Sequence, residues 1–325
     1  MICDAPTRAR LEALGPLVVW EDGPMPDELV ERWLPETVAI VGQTALTAER
    51  LARAPQLRAV VNVEGNFLPN VDYGAALARG VHVLNASPAF APAVAEMALG
   101  MALDLARGIS AADRAMRAGR ESYGLDSNAD AFLLSGAAVG IVGFGDLGRA
   151  LHRLLAPFGC RVRIFDPWLP DLMIERAGAE PASLADVLSA SRVTFVFASV
   201  TSENEGFVGR AQLELVPEGA VLLLMSRAGV VDFDALCELV AAGRFRAGTD
   251  VFPAEPLPAD HRARELEGLL LSAHRAGGMR EAFTAIGRLV VADLELILRG
   301  LPPVACKRAE RETVGLMRSR PVERS

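Results

Sequence analysis

The segment Ala138-Val139-Gly140-Ile141-Val142-Gly143-Phe144-Gly145-Asp146-Leu147-Gly148 constrains the fold of this chain more tightly than any other. An apolar strand pattern over residues 138–142 runs straight into G-x-G-x-x-G. A helical pattern follows through Leu155, and Gly159 stops it. A second strand pattern, residues 161–165, ends on Asp166, 18 residues past Gly148. Each part has a physical task. Gly143 permits a tight turn, Gly145 lets the backbone approach a pyrophosphate, and Gly148 allows helix and strand to pack closely. The helix N-terminus, with Asp146 and Leu147 in its first turn, offers N–H groups and a partial positive charge. An acid at position 166 reaches the adenosine ribose hydroxyls and repels a 2′-phosphate, which selects NAD over NADP. A glycine motif alone also serves a plain turn between strand and helix. The flanking strand, the helix and the terminal acid are what make this one a dinucleotide site. Asp146 suits the helix dipole but not the charge of the ligand, and Arg149 is the nearby offset.

The rest of the chain repeats the alternation. Apolar runs at 17–20, 38–41, 57–63 and 81–84 are separated by helical patterns at 27–33, 47–54 and 71–79, the last stopped by Gly80. From Pro92 to Gly119 an alanine-rich helical stretch follows, with a break near Gly108, and then a polar loop at 120–135. Further runs at 193–198, 221–225 and 269–271 flank a helical pattern at 233–242. A helix at 280–298 and a mobile charged tail from Lys307 close the chain. Strands alternating with helices predict parallel sheets covered on both faces. At 325 residues, two domains are expected. The net charge of −8, with no basic patch, speaks against nucleic acid as a partner. Cys3, Cys160, Cys237 and Cys306 form no C-x-x-C pair and read as reduced thiols, with neither a disulfide frame nor a metal site. No stretch approaches the roughly 20 uninterrupted apolar residues of a membrane span. The best, residues 289–298, carries Asp293 and Glu295. The N-terminus lacks the apolar core of a signal peptide, so a cytoplasmic location is expected.

Three more segments follow strand patterns of the second half, at the edge where such sheets place ligands. They are Met225-Ser226-Arg227-Ala228-Gly229-Val230-Val231-Asp232, Gly248-Thr249-Asp250-Val251-Phe252-Pro253-Ala254-Glu255-Pro256 and Leu271-Ser272-Ala273-His274-Arg275-Ala276-Gly277-Gly278. Singly each has a plain reading: a solvated arginine, a turn, a core histidine. In this order and spacing, with Asn70-Val71-Asp72 and Val94-Ala95-Glu96 in the first half, the chain resembles the D-isomer-specific 2-hydroxyacid dehydrogenase family. The resemblance implies a catalytic set of Arg227, Glu255 and His274. Arg227 clamps the substrate carboxylate and oxo oxygen with a fork that a lysine lacks. His274 gives or takes the proton, and Glu255 holds its imidazole. Asp250 faces the nicotinamide carboxamide. The cofactor-binding set becomes Gly143, Gly145, Asp146, Leu147, Gly148, Asp166, Ser226, Asp250 and Gly277. His82, His152 and His261 read as structural or surface residues.

The family's Asn three positions before the arginine is Leu224 here, the Gly after it is Ala228, and the common Thr-Pro before the histidine is Ser272-Ala273. At the end of the 57–63 run the family has a glycine-rich turn whose amides bind the substrate carboxylate. This chain has Val63-Glu64-Gly65-Asn66-Phe67-Leu68-Pro69. Gly65 and Asn66 are read, with Arg227, as substrate-binding residues. Phe67 is read either as filling pocket space or as packing in the first core, and Glu64 as facing either the pocket, where it would disfavour a second acid or a phosphate, or solvent. The expected architecture is two Rossmann-like or flavodoxin-like α/β domains with parallel sheets and a cleft between them. Residues 1–100 and 283–325 form the substrate domain, and 101–282 the NAD-binding domain. The implied protein is a homodimer that transfers a hydride between NAD(H) and a D-2-hydroxy or 2-oxo acid. The rival readings are a non-enzymatic NAD(H)-sensing binding protein and a formate- or phosphite-type dehydrogenase.

Overall fold

The computed structural model describes residues 4–318. In chain order its strands are β1 (Ala39–Val41), β2 (Ala59–Asn62), β3 (His82–Asn85), β4 (Ala138–Val142), β5 (Arg161–Phe165), β6 (Glu180–Pro181), β7 (Val193–Val196), β8 (Val221–Leu224), β9 (Arg246–Thr249), β10 (Leu269–Leu271) and β11 (Lys307–Arg308). They form a four-stranded sheet, β1-β2-β3-β11, and a seven-stranded sheet, β10-β9-β8-β7-β4-β5-β6. The pairing is parallel throughout except where β11 runs against β3. Strands β7 (Val-Thr-Phe-Val) and β8 (Val-Leu-Leu-Leu) are buried at every position, as a sheet covered on both faces requires.

The chain divides into two compact units. Among the described residues, one holds 4–90, Thr201–Glu203 and 278–318; the other holds Ala91–Val200 and Asn204–Gly277. In the first unit, Val30, Leu34, Leu51, Val60 and Val83 pack on one side of the small sheet. Val61 and Leu84 meet Ile286, Val290 and Leu294 of the long helix Arg280–Leu298 on the other. In the second unit the core runs from Val142 and Val196 through Leu222 and Leu224 to Phe233, Leu236 and Leu269.

Gly140 shows how tightly the larger sheet is covered. A Cβ there would stand 2.7 Å from both Ser191 Oγ and Val187 Cγ1, so the strand keeps a glycine where the helix Leu184–Ser189 and the turn after it press on it.

The structure corrects three expectations. Residues 17–20 form no strand, and Leu17, Val18, Val19 and Trp20 are 38–53% exposed. Strand-forming side chains are not enough when no neighbour takes up the backbone groups. The charged tail is not loose through residue 318. Fully buried Asp293 accepts hydrogen bonds from the N–H groups of Val304, Ala305 and Cys306, at 2.7–2.8 Å, and so feeds β11 into the sheet. Residues 319–325 and Cys3 lie outside the described part. Finally, the helix Ser87–Arg107 is long and apolar enough to cross a membrane by length and composition, with a mean hydropathy of 1.4 over 18 residues. Half of that stretch is buried in the protein, with Met101 and Leu105 close against Gly248 of β9. Gly108, at φ +66°, ends it before a second helix, Ile109–Arg117.

Candidate active site

Register places the sequence-selected segments along one edge. Phe165, Val142, Val196, Leu224, Thr249 and Leu271 are successive partners across β5, β4, β7, β8, β9 and β10. All six strands are parallel, so the residues that follow each of them emerge on the same side. Asp166, Gly143, Asp250 and Ser272 come one residue past that row, and Arg227 and His274 three past it. Strand order reverses at β4, with β5 on one side and β7 on the other, and such a switch point is where open α/β sheets bind ligands.

At this point the glycine-rich turn has the shape its residues predict. Gly143 has φ +94°, and a Cβ there would approach Ala198 N to 2.7 Å. A Cβ on Gly148 would collide with the Gly143 carbonyl oxygen. At Gly145, by contrast, a Cβ would meet nothing within 4 Å, so this backbone faces open space. Gly145 is also the N-cap of the helix Asp146–Leu155 and, having no side chain, makes no capping hydrogen bond of its own. Open space beside this helix start suits a pyrophosphate, so the residues present fit a dinucleotide.

Asp166 does more than end β5. Its Oδ2 accepts from Phe144 N at 2.7 Å and its Oδ1 from Trp168 N at 2.9 Å, so the acid ties down the turn it serves. Arg149 does not pair with Asp146 in this arrangement. Its guanidinium lies 5.5 Å from the centroid of the Phe144 ring, which also meets His152 edge-on. Burial, with Arg153 nearby, lowers the His152 imidazole, so it stays a neutral packing group.

The catalytic candidates on β8, β9 and β10 are held just as specifically. His274 Nδ1 and Glu255 Oε2 are 2.6 Å apart, and both side chains are about one-quarter exposed, at 23% and 24%. Glu255 Oε1 accepts from Phe252 N at 2.9 Å, which fixes the carboxylate that fixes the imidazole. His274 has φ +47°, the left-handed region, where a non-glycine residue is strained by roughly 1–3 kcal/mol. Arg227 is extended and half-buried, and its Nη1 donates to the Ser226 carbonyl at 2.7 Å. Ser226 Oγ in turn donates to the Ala198 carbonyl at 2.7 Å, beside the glycine turn. Asp250 is 2% exposed, and both its oxygens accept hydrogen bonds from residues 272–276. Gly277 continues that loop.

In the first unit, Gly65 and Asn66 follow β2 and are half-buried, as is Glu64. Gly65 lies against the Phe90 ring, 3.5 Å from a would-be Cβ. Phe67 is only 5% exposed and packs edge-on against Tyr73 in the first core, so it fills no pocket. Tyr73 donates to the Leu68 carbonyl at 2.5 Å, and burial pushes its hydroxyl up to about 12, which keeps the donor proton in place. The other histidines are structural. His82 lies in β3, where burial lowers it, and His261 Nδ1 accepts from Ala263 N at 3.2 Å as a helix cap. Sequence reasoning missed two supports, the Phe252 amide and the Ser272 hydroxyl. The signal for Ser272 was available: a hydroxyl two residues before the histidine, one past the end of a strand.

Comparison with known proteins identifies relatives of the chain. Residues 99–276 match the model of the NAD binding domain of D-isomer specific 2-hydroxyacid dehydrogenases. The chain is 34% identical over 305 residues to a D-3-phosphoglycerate dehydrogenase of Mycobacterium bovis, covering 92% of this chain and 57% of that protein. It thus spans little more than half the length of that relative. A glyoxylate reductase of Korarchaeum cryptofilum is 28% identical, covering 91% of this chain and 90% of that protein. A phosphoglycerate oxidoreductase from Rhizobium etli, known from its crystal structure, is 48% identical with a TM-score of 0.86, covering 96% of this chain and 95% of that one.

Proposed function

The chain belongs to the D-isomer specific 2-hydroxyacid dehydrogenase family, and from that premise we propose that it is a cytoplasmic, homodimeric enzyme acting between a 2-oxo acid and its D-2-hydroxy acid. The observation that carries the reading is the His274–Glu255 pair at 2.6 Å, on the sheet edge that also presents Arg227 and the glycine-rich turn. Bound NAD(H) supplies the hydride for reduction or accepts it in oxidation. Gly143, Gly145, Asp146, Leu147 and Gly148 would hold the pyrophosphate by backbone amides, Asp166 would hold the adenosine ribose, and Ser226, Asp250 and Gly277 would border the nicotinamide end. Arg227 grips the substrate carboxylate and oxo oxygen in two places at once, a match for its planar fork. Because Glu255 engages Nδ1, Nε2 is the atom left to exchange a proton with the substrate oxygen. In reduction Nε2–H gives its proton to the oxygen as negative charge develops there, and Glu255 steadies the imidazolium before that transfer. In oxidation neutral Nε2 takes the proton back. Gly65 and Asn66 supply the recognition edge for the substrate.

The test is a panel of glyoxylate, pyruvate, hydroxypyruvate and 3-phosphohydroxypyruvate with the purified protein, following NADH absorbance. Turnover of at least one acid, with Asn66→Ala changing the ranking more than the best rate, is the expected result. NADH binding without turnover of any acid would replace the enzyme by the NAD(H)-sensing reading.

The homodimer is supported by the helix Ile109–Arg117, which buries none of its residues. Ile109 and Met116 are each 58% exposed, and Tyr123 and Leu125 beyond it 78% and 87%. Apolar exposure on this scale calls for a partner surface. Light scattering is expected to give twice the chain mass, and Ile109→Asp with Met116→Asp to halve it. A monomeric unmodified protein rejects the assignment. The cytoplasmic placement is supported by Cys160, Cys237 and Cys306, all free thiols.

A further inference from the structure

The buried carboxylate of Asp250 is arranged around His274 rather than toward open space. Its Oδ1 accepts from Ser272 Oγ at 2.5 Å and from Arg275 N at 3.0 Å, and its Oδ2 accepts from Ala276 N at 3.0 Å. The donors bracket position 274 on both sides, and 274 is the non-glycine residue at φ +47°. A histidine in the left-handed region relaxes unless its neighbours over-determine it. The residue before it is Ala273, which leaves the local backbone free to do so. The three hydrogen bonds to one side chain are what oppose relaxation, and Thr249, one residue before Asp250, fixes the base of this clasp. Its hydroxyl is buried and donates to the Val251 carbonyl at 2.7 Å, while its own carbonyl accepts from Ser272 N at 2.9 Å.

We infer that Asp250 is a positioning residue that, with the Ser272 hydroxyl, locks the His274 backbone so that the imidazole meets Glu255 and presents Nε2 to the substrate. This rests on His274 being the proton-transfer group of the proposed reaction. Two geometric restraints then converge on one ring. Glu255 sets its rotation through Nδ1, and Asp250 sets where its Cα stands. Loosening the second leaves the histidine in the protein but spreads Nε2 over several positions, and a proton donor displaced by an ångström loses rate, not affinity for the cofactor.

Four variants separate this from a direct contact with the cofactor. Ser272→Ala removes one of the three donors and is expected to lower kcat about fivefold, the effect of one ordinary hydrogen bond. NADH dissociation constants, read by fluorescence titration, stay within about twofold. Ser272→Thr, which keeps a hydroxyl at the same place, restores kcat. Asp250→Asn turns an acceptor into an N–H facing backbone N–H groups, and lowers kcat by on the order of a hundredfold. Asp250→Ala removes both acceptor oxygens and leaves the Ser272 hydroxyl without this partner, so adding Ser272→Ala to Asp250→Ala changes kcat little further. Weakened NADH binding at unchanged kcat would overturn the inference in favour of a nicotinamide contact. So would wild-type kcat in Ser272→Ala, or full multiplicative effects in the double variant. If neither Asp250 variant folds, the Ser272 pair decides alone. His274→Ala keeps the two levels apart. If it retains turnover, the catalytic assignment itself falls. If it is inactive while Ser272→Ala is indistinguishable from wild type, only the positioning role falls.

Discussion

His274→Ala is expected to leave NADH binding intact and to cut kcat by roughly 10²–10⁴-fold, the usual contribution of a positioned acid–base group. The expectation rests on the 2.6 Å contact between Nδ1 and Glu255, which commits one ring nitrogen to holding and leaves the other for chemistry. NADH binding is spared because the glycine-rich turn and Asp166 are built on β4 and β5, while His274 follows β10 at the far end of the sheet. Glu255→Gln keeps the shape but removes the negative charge that favours the imidazolium. In the direction of reduction, which uses the protonated ring, kcat therefore falls by about 10- to 100-fold, the effect of losing a hydrogen bond to a charged group. Arg227→Lys raises KM steeply, because one ammonium cannot match two oxygens as a guanidinium does. Steady-state kinetics with the best acid of the panel, paired with NADH titration, read all three. Wild-type turnover in His274→Ala ends the assignment.

The second large effect concerns the cofactor. Asp166→Ala should lower kcat/KM for NADH by about 10- to 100-fold and narrow the preference over NADPH, which in the unmodified protein is expected to exceed about a hundredfold. Two physical terms act together. The carboxylate would repel a 2′-phosphate at short range and accept from the ribose of NADH. It also accepts from Phe144 N and Trp168 N, so its removal loosens the turn beneath the pyrophosphate. The second term makes the loss of NADH affinity larger than the gain for NADPH, so the preference narrows without reversing. Trp168 offers the readout. It is 42% exposed and two residues from Asp166, while Trp20 and Trp33 belong to the other compact unit. Quenching of its emission by NADH should therefore disappear in Trp168→Phe and need more NADH in Asp166→Ala. Equal efficiency of the unmodified protein with both cofactors would contradict the role of Asp166.

The sequence by itself determined the α/β alternation. It also located the segments of the candidate site, because the strands and the loops after them are short-range objects. The pattern at 138–142 and 161–165 matches β4 and β5 to the residue, and Gly143 and Gly159 take the positive φ their places demand. An apolar run bounded by a glycine turn has few alternatives, so local chemistry decides it. Where a backbone must find a partner, the sequence was silent. The run at 17–20 has the side chains of a strand but pairs with no strand among the described residues, whereas Lys307 and Arg308, charged and reading as tail, become a strand because β3 has a free edge and Asp293 folds the chain toward it. The identity of Phe67 and Asp250 was plain, but not which way each faces. Phe67 turned into the first core against Tyr73, and Asp250 turned back to grip residues 272–276. Such choices depend on which donors and apolar surfaces lie within a few ångströms across strands far apart in sequence. Only the tertiary structure brings those groups together.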